Sequence, residues 1–147
     1  SETEWNNLNE CFYYFKEKGL SDEQIAGILG NACQESGFVL DIKNPTSTSK
    51  GLFQWLDSRY PSDWSLETQL DHAWNEMQGT PCGGNISSVV DSLSSKTTVA
   101  DATNTFAVFF EGASKRNNET GAMYVPDLSF RTNFANTIYA YIKDNLT

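Results

Sequence analysis

The chain has 147 residues, of which 39% are hydrophobic, 13% aromatic and 20% charged. This is the size of one ordinary domain, and the composition excludes an intrinsically disordered chain because enough apolar side chains exist to form a core. With 19 acidic and 10 basic residues the formal charge is -9, which disfavours a nucleic-acid partner, since phosphate binding depends on Lys and Arg.

Two helices are predicted in the first quarter of the chain. The first carries apolar residues at helical spacing over 5–15 and is expected to end at Gly19. Ser21 and Gln24 have the spacing of a capping box, which opens a second apolar helix that we expect to end near Glu35.

The rest of the chain alternates between irregular and helical patterns. Residues 38–64 lack helical periodicity, and the polar run at 44–49 favours turns with short strands around them. Later helices are predicted at 66–77, 86–93, 98–110 and 130–142. We therefore expect one mainly helical α+β domain over residues 1–147, with a small β-bearing insert after the second helix. Apolar runs are far shorter than the ~20 residues that cross a bilayer, so no membrane insertion is expected.

One stretch has the features of a catalytic site. Glu35 is a carboxyl group at the end of an apolar helix, and apolar surroundings raise a carboxyl pKa toward the value that a general acid needs. Glycosidic bonds require such a proton donor because the sugar oxygen is otherwise a poor leaving group. Gln54 would offer an amide to sugar hydroxyls, and Trp55 an indole face for stacking. On position alone, a lone glutamate near a helix end is more often simply solvated.

The motifs around this glutamate carry a resemblance to known enzymes. Glu35-Ser36-Gly37 followed by Gly51-Leu52-Phe53-Gln54 resembles the lysozyme-like superfamily, in which a Glu-Ser-x motif precedes Gly-Leu-x-Gln in goose-type lysozymes and lytic transglycosylases. A longer pattern is similar to the phage-tail-lysozyme family; it comprises Ile28-Leu29-Gly30-Asn31, the two motifs above, Trp55, Arg59, Gln69-Leu70 and Phe110-Glu111.

The resemblance implies roles for individual residues. Glu35 matches the catalytic acid, and Gln54 matches the glutamine that lines the substrate cleft. Asp57 lies close to the second carboxylate of goose-type enzymes, shifted by one residue, and Asp41 is the other nearby candidate. A purely structural role for Asp57, as a helix cap or a partner of Arg59, is an equal alternative.

The implied function is that of a lysozyme. We expect a muramidase, a glycosidase that hydrolyses the β-1,4 bond between N-acetylmuramic acid and N-acetylglucosamine in bacterial peptidoglycan, with no cofactor and no metal. The expected location is extracellular, at the cell wall or in a phage virion, as in endolysins and other antimicrobial cell-wall-degrading enzymes. The negative charge suggests that other domains of a larger lysin, or a phage particle, supply the targeting. Two rivals stay open: a lytic transglycosylase that forms 1,6-anhydro products, and a non-catalytic glycan-binding module.

Other reactive side chains give weaker hypotheses. His72 with Cys33 or Cys82 could form a Cys–His peptidase pair, but no local signature supports it. Cys11 and Cys33 lie on apolar helix faces and are expected to be buried, and one disulfide plus a free thiol stays open. Glu111 is either a buried carboxyl supporting the cleft or a solvated one.

Overall fold

The computed structural model describes residues 1–147. Its helices are α1 (Glu2–Glu17), α2 (Asp22–Ser36), α3 (Leu66–Met77), α4 (Val89–Ser94), α5 (Val99–Phe109) and α6 (Leu128–Asn145), with a 3₁₀ turn at Asp57–Arg59. Strands β1 (Lys115–Arg116) and β2 (Met123–Tyr124) pair antiparallel between α5 and α6. The predicted mainly helical α+β class is confirmed. None of the helices has the length and apolar character that crossing a membrane requires.

Local capping sets the ends of α2. The Ser21 hydroxyl accepts the Gln24 backbone N–H at 3.1 Å, and the Ser21 backbone N–H donates to the Gln24 side chain at 3.0 Å, which is the predicted capping box. At the other end, Gly37 adopts a left-handed φ of 58°, a conformation that glycine tolerates and that terminates the helix. The last turn of α2, which carries Glu35, is therefore fixed in register by its flanking residues.

Helix α2 packs between α5 and α6 at backbone distance. A Cβ atom added to Gly27 would lie 2.7 Å from the backbone nitrogen of Thr103 on α5. At Gly30, an added Cβ would lie 2.5 Å from the Cβ of Ala135 and 2.7 Å from the carbonyl oxygen of Arg131, both on α6. Because only glycine permits this approach, the two glycines bring three helices into one tightly packed unit.

The segment between α2 and α3 is an irregular insert rather than a sheet. It carries two isolated bridges, Lys43–Lys50 and Lys50–Trp55, whereas the two named strands lie between α5 and α6. Gln69, a fully buried side chain of α3, holds the insert in place. It accepts the Leu52 backbone N–H at 2.8 Å and donates to the carbonyl oxygens of Leu40 and Trp64, at 2.9 Å and 2.8 Å.

Candidate active site

The two sequence motifs meet through a serine hydroxyl. Ser36 is buried, and its Oγ donates to the carbonyl oxygens of Leu52 at 2.8 Å and of Ala32 at 3.0 Å. The backbone N–H of Phe38 donates to the same Oγ at 3.1 Å. The Glu-Ser-Gly motif is thus fastened to the Gly-Leu-Phe-Gln motif, and Glu35 is held beside the insert.

A buried arginine contacts the Glu35 carboxylate. Arg131 of α6 is 5% exposed at its side chain, and its Nη2 lies 2.5 Å from Glu35 Oε2. The same guanidinium donates to Asp127 Oδ1 through Nε at 2.8 Å and to Asn31 Oδ1 through Nη1, also at 2.8 Å. Every arm of Arg131 is therefore occupied, which fixes both the cation and the carboxylate that it meets. Sequence reasoning did not select Arg131 or Asp127.

A second carboxyl group, that of Glu111, adjoins Glu35. Glu111 follows the end of α5, and its carboxyl is a hydrogen-bond partner of the Glu35 carboxyl. The residue as a whole is half-buried, but its Oε1 has no solvent contact and no hydrogen-bond partner. Of the two alternatives for Glu111, the buried carboxyl beside the site is the one observed.

Burial controls the protonation of both carboxyl groups. Burial raises the pKa of Glu35, and although Arg131 opposes that shift, the pKa stays above its ordinary value. Burial, followed by the charge of Glu35, raises the pKa of Glu111 well above its ordinary value. A carboxyl group with a raised pKa holds its proton to higher pH than an ordinary carboxyl, which is the property that general acid catalysis requires.

The two residues expected to bind sugar differ in accessibility. Gln54 adopts a left-handed φ of 54°, and its amide nitrogen donates to the carbonyl oxygens of Ile42 and Gly51 at 2.9 Å and 3.0 Å, which leaves its carbonyl oxygen without a protein partner. Trp55 is only 1% exposed, and its indole N–H donates to Glu76 at 2.7 Å. The expected stacking role of Trp55 is wrong, because a ring buried in the core presents no face to a sugar.

Neither candidate for the second catalytic carboxylate is held in position by a side-chain contact. Asp57 and Asp41 are both exposed, and neither side chain makes a hydrogen bond or an ion pair. Leu56, rather than Asp57, is the N-cap of the 3₁₀ turn, and Arg59 pairs with Glu76 at 2.8 Å. The structural role considered for Asp57 is therefore absent, and its carboxylate is free for solvent or substrate.

No Cys–His pair forms. The three cysteines are free thiols; Cys11 is buried, Cys33 is half-buried and Cys82 is exposed, so burial is confirmed for Cys11 and only in part for Cys33. His72 Nε2 lies 2.6 Å from the carbonyl oxygen of Arg59, and Cys82 Sγ donates to the carbonyl oxygen of Phe110 at 3.1 Å. Both candidate partners are engaged with the backbone instead.

A groove lies between the C-terminal part of α5, the 82–84 turn and the β1–β2 hairpin, and neither Glu35 nor Glu111 lines it. Its walls combine aromatic and apolar surface with a few polar groups: Cys82, Gly83, Gly84, Asn104, Val108, Phe109, Ser114, Met123, Tyr124 and Val125. Tyr124 is 48% exposed there. Exposed aromatic surface beside amide and hydroxyl groups suits a polar, ring-shaped ligand such as a sugar.

The chain matches the family described as phage tail lysozyme over residues 6–142, a range that contains Glu35, Gln54, Asp57, Glu111 and Arg131. A search of curated proteins found no match.

Proposed function

The chain belongs to the phage tail lysozyme family, which implies a lysozyme-like activity on peptidoglycan, and we propose that it is a muramidase. It hydrolyses the β-1,4 bond between N-acetylmuramic acid and N-acetylglucosamine. The observation that carries this proposal is the carboxyl of Glu35, 19% exposed at the end of α2, with a raised pKa. Such a group reaches substrate while keeping the proton that the leaving sugar oxygen requires.

Glu35 acts as the general acid. It transfers its proton to the glycosidic oxygen as the bond to the anomeric carbon breaks, and its carboxylate then faces the cationic sugar. Arg131 stabilises the carboxylate after proton transfer, because its Nη2 contacts Glu35 Oε2 directly. The side-chain carbonyl oxygen of Gln54, in the insert between α2 and α3, accepts a hydrogen bond from a sugar hydroxyl. These assignments follow from the resemblance together with the contacts described above.

Asp57 is the proposed base that activates water. Its carboxylate is exposed and has no ion-pair partner, so it is accessible to a water molecule or to substrate. One observation favours a lytic transglycosylase instead: neither Asp57 nor Asp41 is fixed by any contact, whereas hydrolysis benefits from an oriented base. In a transglycosylase the 6-hydroxyl of muramic acid attacks the anomeric carbon, and no second carboxylate is needed.

We also propose where the enzyme works. A phage virion or the bacterial cell wall fits the family, and peptidoglycan glycan strands are the partner. The formal charge of -9 repels anionic wall polymers at long range, so we expect attachment to a particle or to another lysin domain to bring the site to its substrate.

Digestion of purified peptidoglycan, with products identified by mass spectrometry, tests this function. Reducing muramic acid ends support hydrolysis, 1,6-anhydro ends support the transglycosylase, and binding without release of sugars identifies a non-catalytic module. Glu35→Gln keeps the shape of the side chain but cannot donate a proton, so release should fall by at least ~10²-fold. The matched control is Glu119→Gln, an exposed glutamate on the hairpin loop. Equal activity of Glu35→Gln and the control would refute the assignment.

A further inference from the structure

Glu111 supplies the one buried side-chain oxygen that lacks a hydrogen-bond partner. Its Oε1 has no contact with solvent or with any donor, although the carboxyl as a whole meets Glu35. An ionised carboxylate with a bare, buried oxygen is costly, whereas a protonated carboxyl bears no charge there. The buried, unpartnered oxygen therefore favours the protonated form of Glu111.

The charges around the two carboxyl groups leave no spare cation for a second negative charge. Arg131, from α6, contacts Glu35 but also pairs with Asp127 at 2.8 Å. The charge of Arg59, in the 3₁₀ turn, lowers the pKa of Glu111, but Arg59 is already paired with Glu76 at 2.8 Å. The remaining titratable neighbour is Cys82, a thiol that brings no positive charge. Two ionised carboxylates side by side are thus disfavoured, and one of them keeps a proton.

We propose that Glu111 is a positioning residue that shares one proton with Glu35 and passes it to Glu35 during bond cleavage. This proposal rests on the proposed function. In the resting site the two carboxyl groups hold a single proton between them. During cleavage the O–H bond to Glu111 breaks, the proton passes through Glu35 to the leaving sugar oxygen as the bond to the anomeric carbon breaks, and both carboxyl groups are left ionised beside Arg131. The proton lost by the attacking water, taken first by Asp57, or by the attacking 6-hydroxyl in a transglycosylase, then returns to the pair.

The pair therefore titrates as a unit. The last proton leaves a pair of adjacent carboxyl groups at higher pH than it would leave one group alone, because its loss creates two like charges in contact. Removing Glu111 leaves Glu35 beside Arg131 without that repulsion, so Glu35 ionises at lower pH. The alkaline limb of the pH–rate profile should move toward acid, while activity at acidic pH is better retained.

The pH–rate profile of peptidoglycan lysis is the first test, measured for wild type, Glu111→Gln and the Glu119→Gln control. We expect the alkaline limb of Glu111→Gln to shift by at least ~1 unit toward acid and that of the control to stay in place. Glu111→Asp, which restores a carboxyl, should move the limb back toward wild type. A uniform fall in rate with an unmoved limb would mean that Glu111 is merely structural, and would overturn the proposal.

Infrared spectroscopy of the wild type gives a second test, which depends neither on activity nor on the folding of any variant. A protonated carboxyl absorbs apart from carboxylates and shifts in D₂O, and we expect this band at neutral pH. Its absence would overturn the shared proton even if lysis is normal. If the band is present but no sugar is released from peptidoglycan, the proposed function fails while the proton-sharing pair stands.

Discussion

Replacing Gln69 with leucine tests whether this one side chain holds the irregular insert between α2 and α3 in place. The change removes three hydrogen bonds, to the Leu52 N–H and to the carbonyl oxygens of Leu40 and Trp64. The Leu52 N–H is fully buried, and stranding it costs ~1–3 kcal/mol. The two carbonyl groups lie in partly buried surroundings, and each lost bond there costs ~1 kcal/mol. We therefore expect a loss of ~3–5 kcal/mol in the free energy of unfolding.

Urea unfolding followed by tryptophan fluorescence measures this loss, with Gln78→Leu as the matched control. Gln78 is exposed at the end of the same helix and makes no side-chain hydrogen bond, so its replacement should be neutral within ~0.5 kcal/mol. Lysis by Gln69→Leu should fall even at temperatures where the variant is folded. The reason is that the Leu52 carbonyl oxygen accepts a hydrogen bond from the hydroxyl of Ser36, the residue next to Glu35. Equal stabilities of the two leucine variants would refute this account of the loop.

Three further predictions concern packing, charge and thiols. Gly30→Ala should cost ~1–3 kcal/mol in thermal or urea unfolding because its Cβ meets α6 backbone, whereas Gly79→Ala, with nothing nearer than 3.6 Å, should be neutral or stabilising. Burial would raise the pKa of Asp22, but hydrogen bonds from Lys143 and Lys16 outweigh it and lower the pKa. The contribution of Asp22 to the free energy of unfolding is therefore present at neutral pH and lost as pH falls through its pKa in the folded protein. Asp22→Asn should cost ~1 kcal/mol at neutral pH and nothing in strong acid, which urea unfolding at both pH values measures. Iodoacetamide should modify exposed Cys82 first and buried Cys11 last by mass spectrometry of peptides, with lysis preserved; rapid loss of lysis in a folded protein would revive the Cys–His hypothesis.

The parts of the fold that were predictable depend on neighbours in the chain. The Ser21–Gln24 box and the Thr98 cap, which accepts the Asp101 N–H at 3.1 Å, each join residues three positions apart, so their spacing alone identifies them. The β1–β2 hairpin escaped prediction because its strands have two residues each and consist of exposed side chains without alternation.

The two carboxyl groups of the site were predictable from the sequence, Glu35 as the acid and Glu111 as one of two alternatives, but the arginine that contacts Glu35 was not. Glu35 is found by the motif on either side of it, but Arg131 lies 96 residues away and belongs to no local pattern. Trp55 illustrates the opposite failure, because an indole beside a glycine-rich motif serves equally as a ligand platform or as core, and the sequence does not show which way it points. Packing of α2 against α6 brings Arg131 to Glu35, whereas contacts with α3 hold the Trp55 indole in the core, where its N–H donates to Glu76.

The glycine contacts of α2 have a consequence for engineering this scaffold. Glu35, Glu111 and Arg131 come from the ends or faces of three helices whose separation is set at Gly27 and Gly30, and none of the three lies on the tip of a surface loop. Residues 44–47 and the hairpin tip at 117–121 are exposed, so they can be lengthened or exchanged without moving the proposed acid, whereas Thr48 accepts the Asp57 N–H and should be kept. Libraries that vary those two tips can therefore be used to retarget the enzyme to differently decorated walls, while a single unchanged helical frame keeps the bond-breaking step.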